Sequence, residues 1–231
     1  MISFLISAIK IIFLLGFLIG IHETGHFLIA KLCKVRVNEF AIGFGPVIWK
    51  KQGKETKYEL RLIPLGGFVN MEGEAEQSEK EGSFTKASIP RRIAIVAAGA
   101  LVNIIFAIIV YFILAMTVRG NLTNAVVGNR VLDADDFGNR LYFASYNTKE
   151  FMLSIAESVK QLFTGKVSSA ELVGPVGISE VVAKTNGFRE FIYILAAISI
   201  SLGVTNLLPF PPLDGGKIVL ILLEAIRRKP C

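Results

Sequence analysis

The sequence predicts a mainly α-helical membrane protein. It is expected to have three transmembrane helices, a short cytoplasmic-side helix, and a small membrane-associated β-hairpin or sheet between helices one and two. Two observations carry this. Of 231 residues, 52% are hydrophobic and the mean hydropathy is +0.56, more apolar than an ordinary soluble domain. The apolar residues also gather in three runs, at about 2–21, 93–118 and 191–210. At ~1.5 Å per residue a helix of such length crosses a hydrocarbon core of roughly 30 Å. The formal charge of +6 does not indicate nucleic acid, because the basic residues lie between apolar runs and form no aromatic-interleaved face. The lipid bilayer is the expected partner, and no nucleic acid is. Cys33 and Cys231 form no CxxC pair and suggest no disulfide framework.

In chain order, the first run is interrupted by Ser3, Ser7 and Lys10. Lys10 either faces a polar interior or snorkels to an interface, and a surface helix is the alternative. The run lacks the basic start and small-residue cleavage site of a signal peptide, so it reads as a retained helix. FAIGFGPVIWK at 40–50 and KYELRLIPLGGFVNMEG at 57–73 show β-like alternation broken by Pro64 and Gly66-Gly67. They define a membrane-associated β region at about 40–72, followed by an acidic loop over 72–81. The second run has one strongly polar member, Asn103. FMLSIAESVKQLF at 151–163 has apolar residues at helical spacing and predicts an external amphipathic region at about 150–165. Lys217–Ile226 is a helix too short to cross alone. All of residues 1–231 are read as one domain.

Charge orients these pieces. Residues 31–92 hold 12 Lys/Arg against 8 Asp/Glu, and residues 119–190 hold 8 against 8. The positive-inside rule places the first loop and the tail at 227–231 in the cytoplasm. The segment HETGH and the far end of the third run then share one side of the membrane.

HETGH, residues 22–26, is an HExxH. On a helix it sets His22 and His26 on one face as two nitrogen ligands for zinc, with Glu23 beside them as general base. Ionisable groups inside an apolar helix are costly unless satisfied, and they point to function. A catalytic zinc keeps three protein ligands, and the chain has two histidines. The third ligand is therefore a carboxylate, a cysteine or something weaker. Cys33 lies about two turns past His26. Asp214, in NLLPFPPLDGG at 206–216, sits at the depth the topology gives HETGH. As an alternative, Asp214 is only a helix cap before Gly215-Gly216.

The sequence resembles the site-2 protease family of intramembrane zinc metalloproteases, of the bacterial regulated-intramembrane-proteolysis type. The resemblance rests on HETGH at 22–26, FGPVIWK at 44–50, IPLGGFVNMEGE at 63–74, ELVGPVGI at 171–178 and NLLPFPPLDGGK at 206–217. It implies one zinc per chain, held by His22, His26 and Asp214, with Glu23 activating water. It gives Asn206 a substrate-orienting or oxyanion-stabilising role, the alternative being a helix-packing amide. A hairpin around Arg61–Val69, including Gly66, Gly67 and Phe68, would dock an extended substrate strand; the plainer alternative is a surface hairpin that seats the protein. The implied activity is hydrolysis in or near the transmembrane segment of a single-span protein, an anti-sigma factor or remnant signal peptide. The implied location is a bacterial inner membrane, with the active site toward the cytoplasm. The sequence departs from the family pattern in three places. Residues 119–150 are too few for the PDZ domain usual between the second and third spans. LLEAIRRKPC ends the chain where relatives continue into a last transmembrane helix. Ala100 stands where relatives often have proline. A catalytically inactive zinc-binding adaptor is the competing reading.

Overall fold

In the computed structural model the first apolar run continues as one helix, α1 (Ile2–Leu32, 31 residues). It therefore extends well beyond the span expected at 2–21 and carries HETGH inside it. The residues described are 2–74, 76, 78–117, 125–127, 130–133, 136–164, 181–183, 185 and 187–227. The segment ELVGPVGI at 171–178 and residues 228–231 lie outside them, as do parts of 119–135. Helix α1 stops in a Schellman turn. Lys34 takes the left-handed conformation (φ 60°), its N–H reaches Lys31 O at 3.1 Å, and the Val35 N–H reaches Ala30 O at 2.9 Å.

Two long antiparallel strands follow, β1 (Val37–Gln52) and β2 (Lys57–Met71), so the hairpin is a little longer than the predicted 40–72 region at its start. Both strands bend. Residues 39–42 pair on one edge with 57–60 and on the other with 67–70, and 49–52 pair again with 57–60. The bend in β1 falls at Gly43 (φ 92°) and Gly45 (φ 80°), where a side chain would be strained. The bend in β2 falls around Pro64 and Gly66. Those residues interrupt the alternation without ending the strand.

Helix α2 (Ile89–Met116) begins four residues before the expected span, with Pro90 in its first turn, where no intrahelical N–H is needed. A small hairpin, β3 (Ala125–Val127) and β4 (Arg130–Leu132), precedes α3 (Phe137–Thr164). The Asp136 carboxylate accepts the Asn139 N–H at 2.8 Å as an N-cap, so α3 starts well before the amphipathic region expected at 150–165. Helices α4 (Phe188–Asn206) and α5 (Asp214–Arg227) complete the described chain. The prolines and glycines of 209–216 end α4 earlier than the expected 191–210 span and start α5 earlier than 217. Helices α1, α2 and α4 are long and apolar enough to cross a membrane.

The chain forms two compact units. The first, Met1–Ile105 with Ser199–Cys231, is built on a core of Ala30, Val35, Val37, Met71, Phe84, Ile95, Val96 and Ile221. It thus joins α1, the hairpin, α2 and α5. The second, Phe106–Ile198, is organised by rings: Tyr111 stacks on Phe151 at 4.3 Å and tilts against Tyr193 at 5.9 Å.

Candidate metal centre

The helical period of α1 puts His22 and His26 one turn apart on a single buried face, their rings 4.7 Å apart and nearly perpendicular. Their Nε2 atoms lie 3.1 Å from each other. Asp214 Oδ2 lies 3.1 Å from His22 Nε2 and 3.3 Å from His26 Nε2. A metal with tetrahedral bonds of about 2.0–2.1 Å spaces its ligands about 3.3–3.4 Å apart, so the three atoms stand close to the edges of such a polyhedron. They are the cluster of metal-binding type among the described residues. Two imidazole nitrogens and a carboxylate oxygen are also the donor set zinc favours. His26 Nδ1 is 2.8 Å from Ile95 O. Donating there, it leaves Nε2 with its lone pair toward the cluster. Asp214 Oδ2 is buried with no hydrogen-bond donor, which a cation would remedy. The residues present fit zinc.

Asp214 reaches the histidines because the loop after α4 folds back tightly on α5. A Cβ at Gly215 would strike the carbonyl oxygens of Leu207 and Leu208, and one at Gly216 would come within 2.8 Å of Phe210 C. Only hydrogen side chains let this loop lie on the helix it feeds. The carboxylate sits in the first turn of α5, where the helix dipole also favours negative charge. Burial alone would raise the Asp214 carboxyl, but the adjacent histidines, when protonated, outweigh it and hold the group below the usual carboxylate range.

Helix α2 closes the other side by near contact of backbones. A Cβ on Gly25 would lie 2.7 Å from Ala98 O, and one on Gly99 would fall on His26 Nε2 and 2.8 Å from His22 Cε1. Gly99 was not among the residues singled out in the sequence, although a small residue in an apolar helix is the usual mark of close approach. The hairpin approaches as closely, since a Cβ on Gly67 would meet Glu23 Cγ at 2.9 Å. The resulting cavity, of about 230 Å³, is lined by His22, Glu23, His26 and Asp214 together with Gly67, Phe68, Glu74 and Lys217. Lys217, three residues after Asp214, pairs with Glu74 at 2.9 Å. Burial works against its charge, but Glu74 more than compensates and its pKa is raised. Neither Glu74 nor Lys217 was singled out by sequence; the (i, i+3) spacing from Asp214 was the available signal.

The remaining candidates are distributed differently. Asn206 ends α4, half-buried, and is not among the residues lining the cavity. Arg61 is occupied within the sheet: its guanidinium donates to Glu59 at 2.7 and 3.0 Å and to Glu39 at 3.2 Å, and lies 5.1 Å over the Phe68 ring. Gly66 gives room to the Phe44 ring. Cys33, near the end of α1, packs against the apolar core instead.

A family model described as Peptidase family M50 matches residues 10–231. A protein of Fusobacterium nucleatum named as a zinc metalloprotease is 30% identical, with 97% of this chain and 89% of the relative covered. That alignment runs over 306 residues, longer than this chain, so the relative carries residues without a counterpart here. A similarly named protein of Clostridium acetobutylicum is 31% identical over 93% of this chain and 86% of its own. The regulator of sigma-E protease RseP of Escherichia coli is 43% identical over 49% of this chain and 26% of its own length.

Proposed function

The chain belongs to peptidase family M50 and is a zinc metalloprotease, and we propose that it hydrolyses a peptide bond in or near the transmembrane segment of a single-span membrane protein. Substrates of the anti-sigma-factor or remnant-signal-peptide type fit this reading, and similarity to a protein named as a regulator of sigma-E protease supports it. The observation that carries it is the convergence of His22, His26 and Asp214 beside Glu23, in a cavity bounded by helices apolar enough to lie in a bilayer.

His22, His26 and Asp214 would hold one zinc per chain. Zinc supplies, when bound, Lewis-acid polarisation of the scissile carbonyl and acidification of a water. Glu23 accepts a proton from the attacking water and delivers it to the departing amine. The bare backbone at Gly67 brings β2 against Glu23. Among the described residues, 67–70 pair on one side only, which leaves an edge where an unwound substrate strand can add. Unwinding is required, because an intact helix keeps its carbonyls in hydrogen bonds. Asn206 orients substrate from the end of α4, and Arg61, Gly66 and Phe68 shape the docking strand.

The test is cleavage of a single-span substrate by the purified protein in lipid, with zinc removed by chelation and then restored. Cleavage that disappears and returns with zinc supports the reading, and cleavage indifferent to zinc overturns it. We place the active site on the cytoplasmic side of a bacterial inner membrane, from the basic balance of residues 31–92. Glu79 and Ser145 are exposed and serve as thiol-labelling positions once the native cysteines are replaced. Glu79→Cys should label from the cytoplasm and Ser145→Cys from outside; the reverse pattern would refute the orientation.

A further inference from the structure

A second cavity of about 440 Å³ adjoins the metal cavity in the same unit, and the two share Glu74, Val96 and Lys217 as walls. The metal cavity is small, about 230 Å³, and largely polar in its walls. An extended peptide advances about 3.3 Å per residue, so a strand whose carbonyl sits at the metal must place its neighbouring side chains outside that space. The adjoining cavity is roomier and includes the apolar Val96 and Leu220.

Its polar wall is held by an ion pair. Arg92 gives both terminal nitrogens to Glu224, each at 2.8 Å, and leaves Nε buried without a hydrogen-bond partner. Arg92 is itself only 8% exposed. Its guanidinium also lies 5.1 Å over the Phe84 ring, so Arg92 is a fixed part of the cavity wall.

We propose that this second cavity is a specificity subsite for one large apolar side chain of the substrate, next to the cleaved bond. The Lys217–Glu74 pair forms the threshold from the metal cavity. The proposal rests on the protease reading above. A membrane-spanning substrate supplies the matching chemistry, since its residues there are mostly Leu, Ile, Val and Phe. The adjacency of the second cavity to the metal cavity, through three shared lining residues, selects the substrate strand as occupant over lipid or a second protein.

The test uses capture and cleavage together. Leu220 lines the cavity and is 48% exposed, whereas Leu222, on the same helix and 45% exposed, does not line it. In zinc-loaded Glu23→Gln protein lacking Cys33 and Cys231, Leu220→Cys should form a disulfide with a substrate carrying cysteine beside the scissile bond. The yield should be at least about tenfold above that of Leu222→Cys. In otherwise native protein, Leu220→Trp should lower the kcat/KM ratio of a Phe-flanked to an Ala-flanked substrate by about tenfold or more. Zinc content should stay native, and cleavage of the Ala-flanked substrate should fall less than that of the Phe-flanked one. Equal capture at both positions, or an unaltered ratio, would overturn the subsite while leaving the protease reading intact. Capture at Leu220→Cys with no cleavage by the native protein would instead count against the protease reading and support the subsite as a peptide-binding cavity.

Discussion

The two units of the chain pack their helices by different means. In the first, backbones touch: Gly25 meets Ala98 and Gly99, and Gly203 of α4 comes so near α2 that a Cβ would stand 2.6 Å from Ala100 O, while the bare backbone of Gly67 lies against the Glu23 side chain. In the second, rings do the spacing, through Tyr111, Phe151 and Tyr193, around an apolar cavity of about 740 Å³. Ring packing tolerates adjustment, because side chains can shift to new rotamers. Backbone contact through glycine does not, because a single methyl has nowhere to go. The unit with the rigid contacts is the one in which His22, His26 and Asp214 converge.

The largest effect that sharpens this contrast is chemical. Glu23→Gln keeps shape but cannot accept a proton, so cleavage should fall by about 10²- to 10⁴-fold while far-ultraviolet circular dichroism and zinc content stay native. Next comes Gly99→Ala, whose methyl would fall on the His26 ring. Zinc retention and cleavage should both drop, by about tenfold to a hundredfold, as when the surroundings of a metal ligand are disturbed. An active, zinc-replete Gly99→Ala would show that the helix contact yields more than the geometry suggests.

A smaller effect concerns the pair that ties α5 to α2. Arg92 holds the Glu224 carboxyl below the usual glutamate range, so its ionisation favours the folded state. That stability is fully present above the unfolded value of about 4.3 and is lost as pH falls through the lower folded value. Thermal unfolding in detergent should show Glu224→Gln less stable than native protein at pH 7, by about 1–3 kcal/mol, with the difference shrinking on acidification below pH 4. The smallest effect is in the second unit. Tyr111→Leu removes the stack on Phe151 and should cost about 0.5–1.5 kcal/mol, leaving zinc content untouched; loss of zinc there would break the contrast between the units.

Much of this was legible in the sequence because hydropathy and spacing are local properties. The three apolar runs, HETGH and the β-like segments all folded into the predicted kinds of element. The ends of elements were less legible. Polar residues near the end of α1 hid its continuation to Leu32, which depends on the turn at Lys34. The glycines and prolines of 209–216, which punctuate the chain, concealed that α5 begins at Asp214 itself. Long-range contact was hardest to see. Asp214 stood out through its depth and the family resemblance, while Gly99, Glu74 and Lys217 matter through what lies opposite them, and a single sequence does not display opposites.

Zinc content of Asp214→Asn measured beside Glu23→Gln tests the metal centre most directly. An amide is a poorer ligand than a carboxylate and balances less of the Zn²⁺ charge. Purified through a chelating wash, Glu23→Gln should keep about one zinc per chain and Asp214→Asn should lose most of it. Asp214→Asn retaining a full zinc as firmly as Glu23→Gln would contradict the assignment of Asp214 as the third ligand.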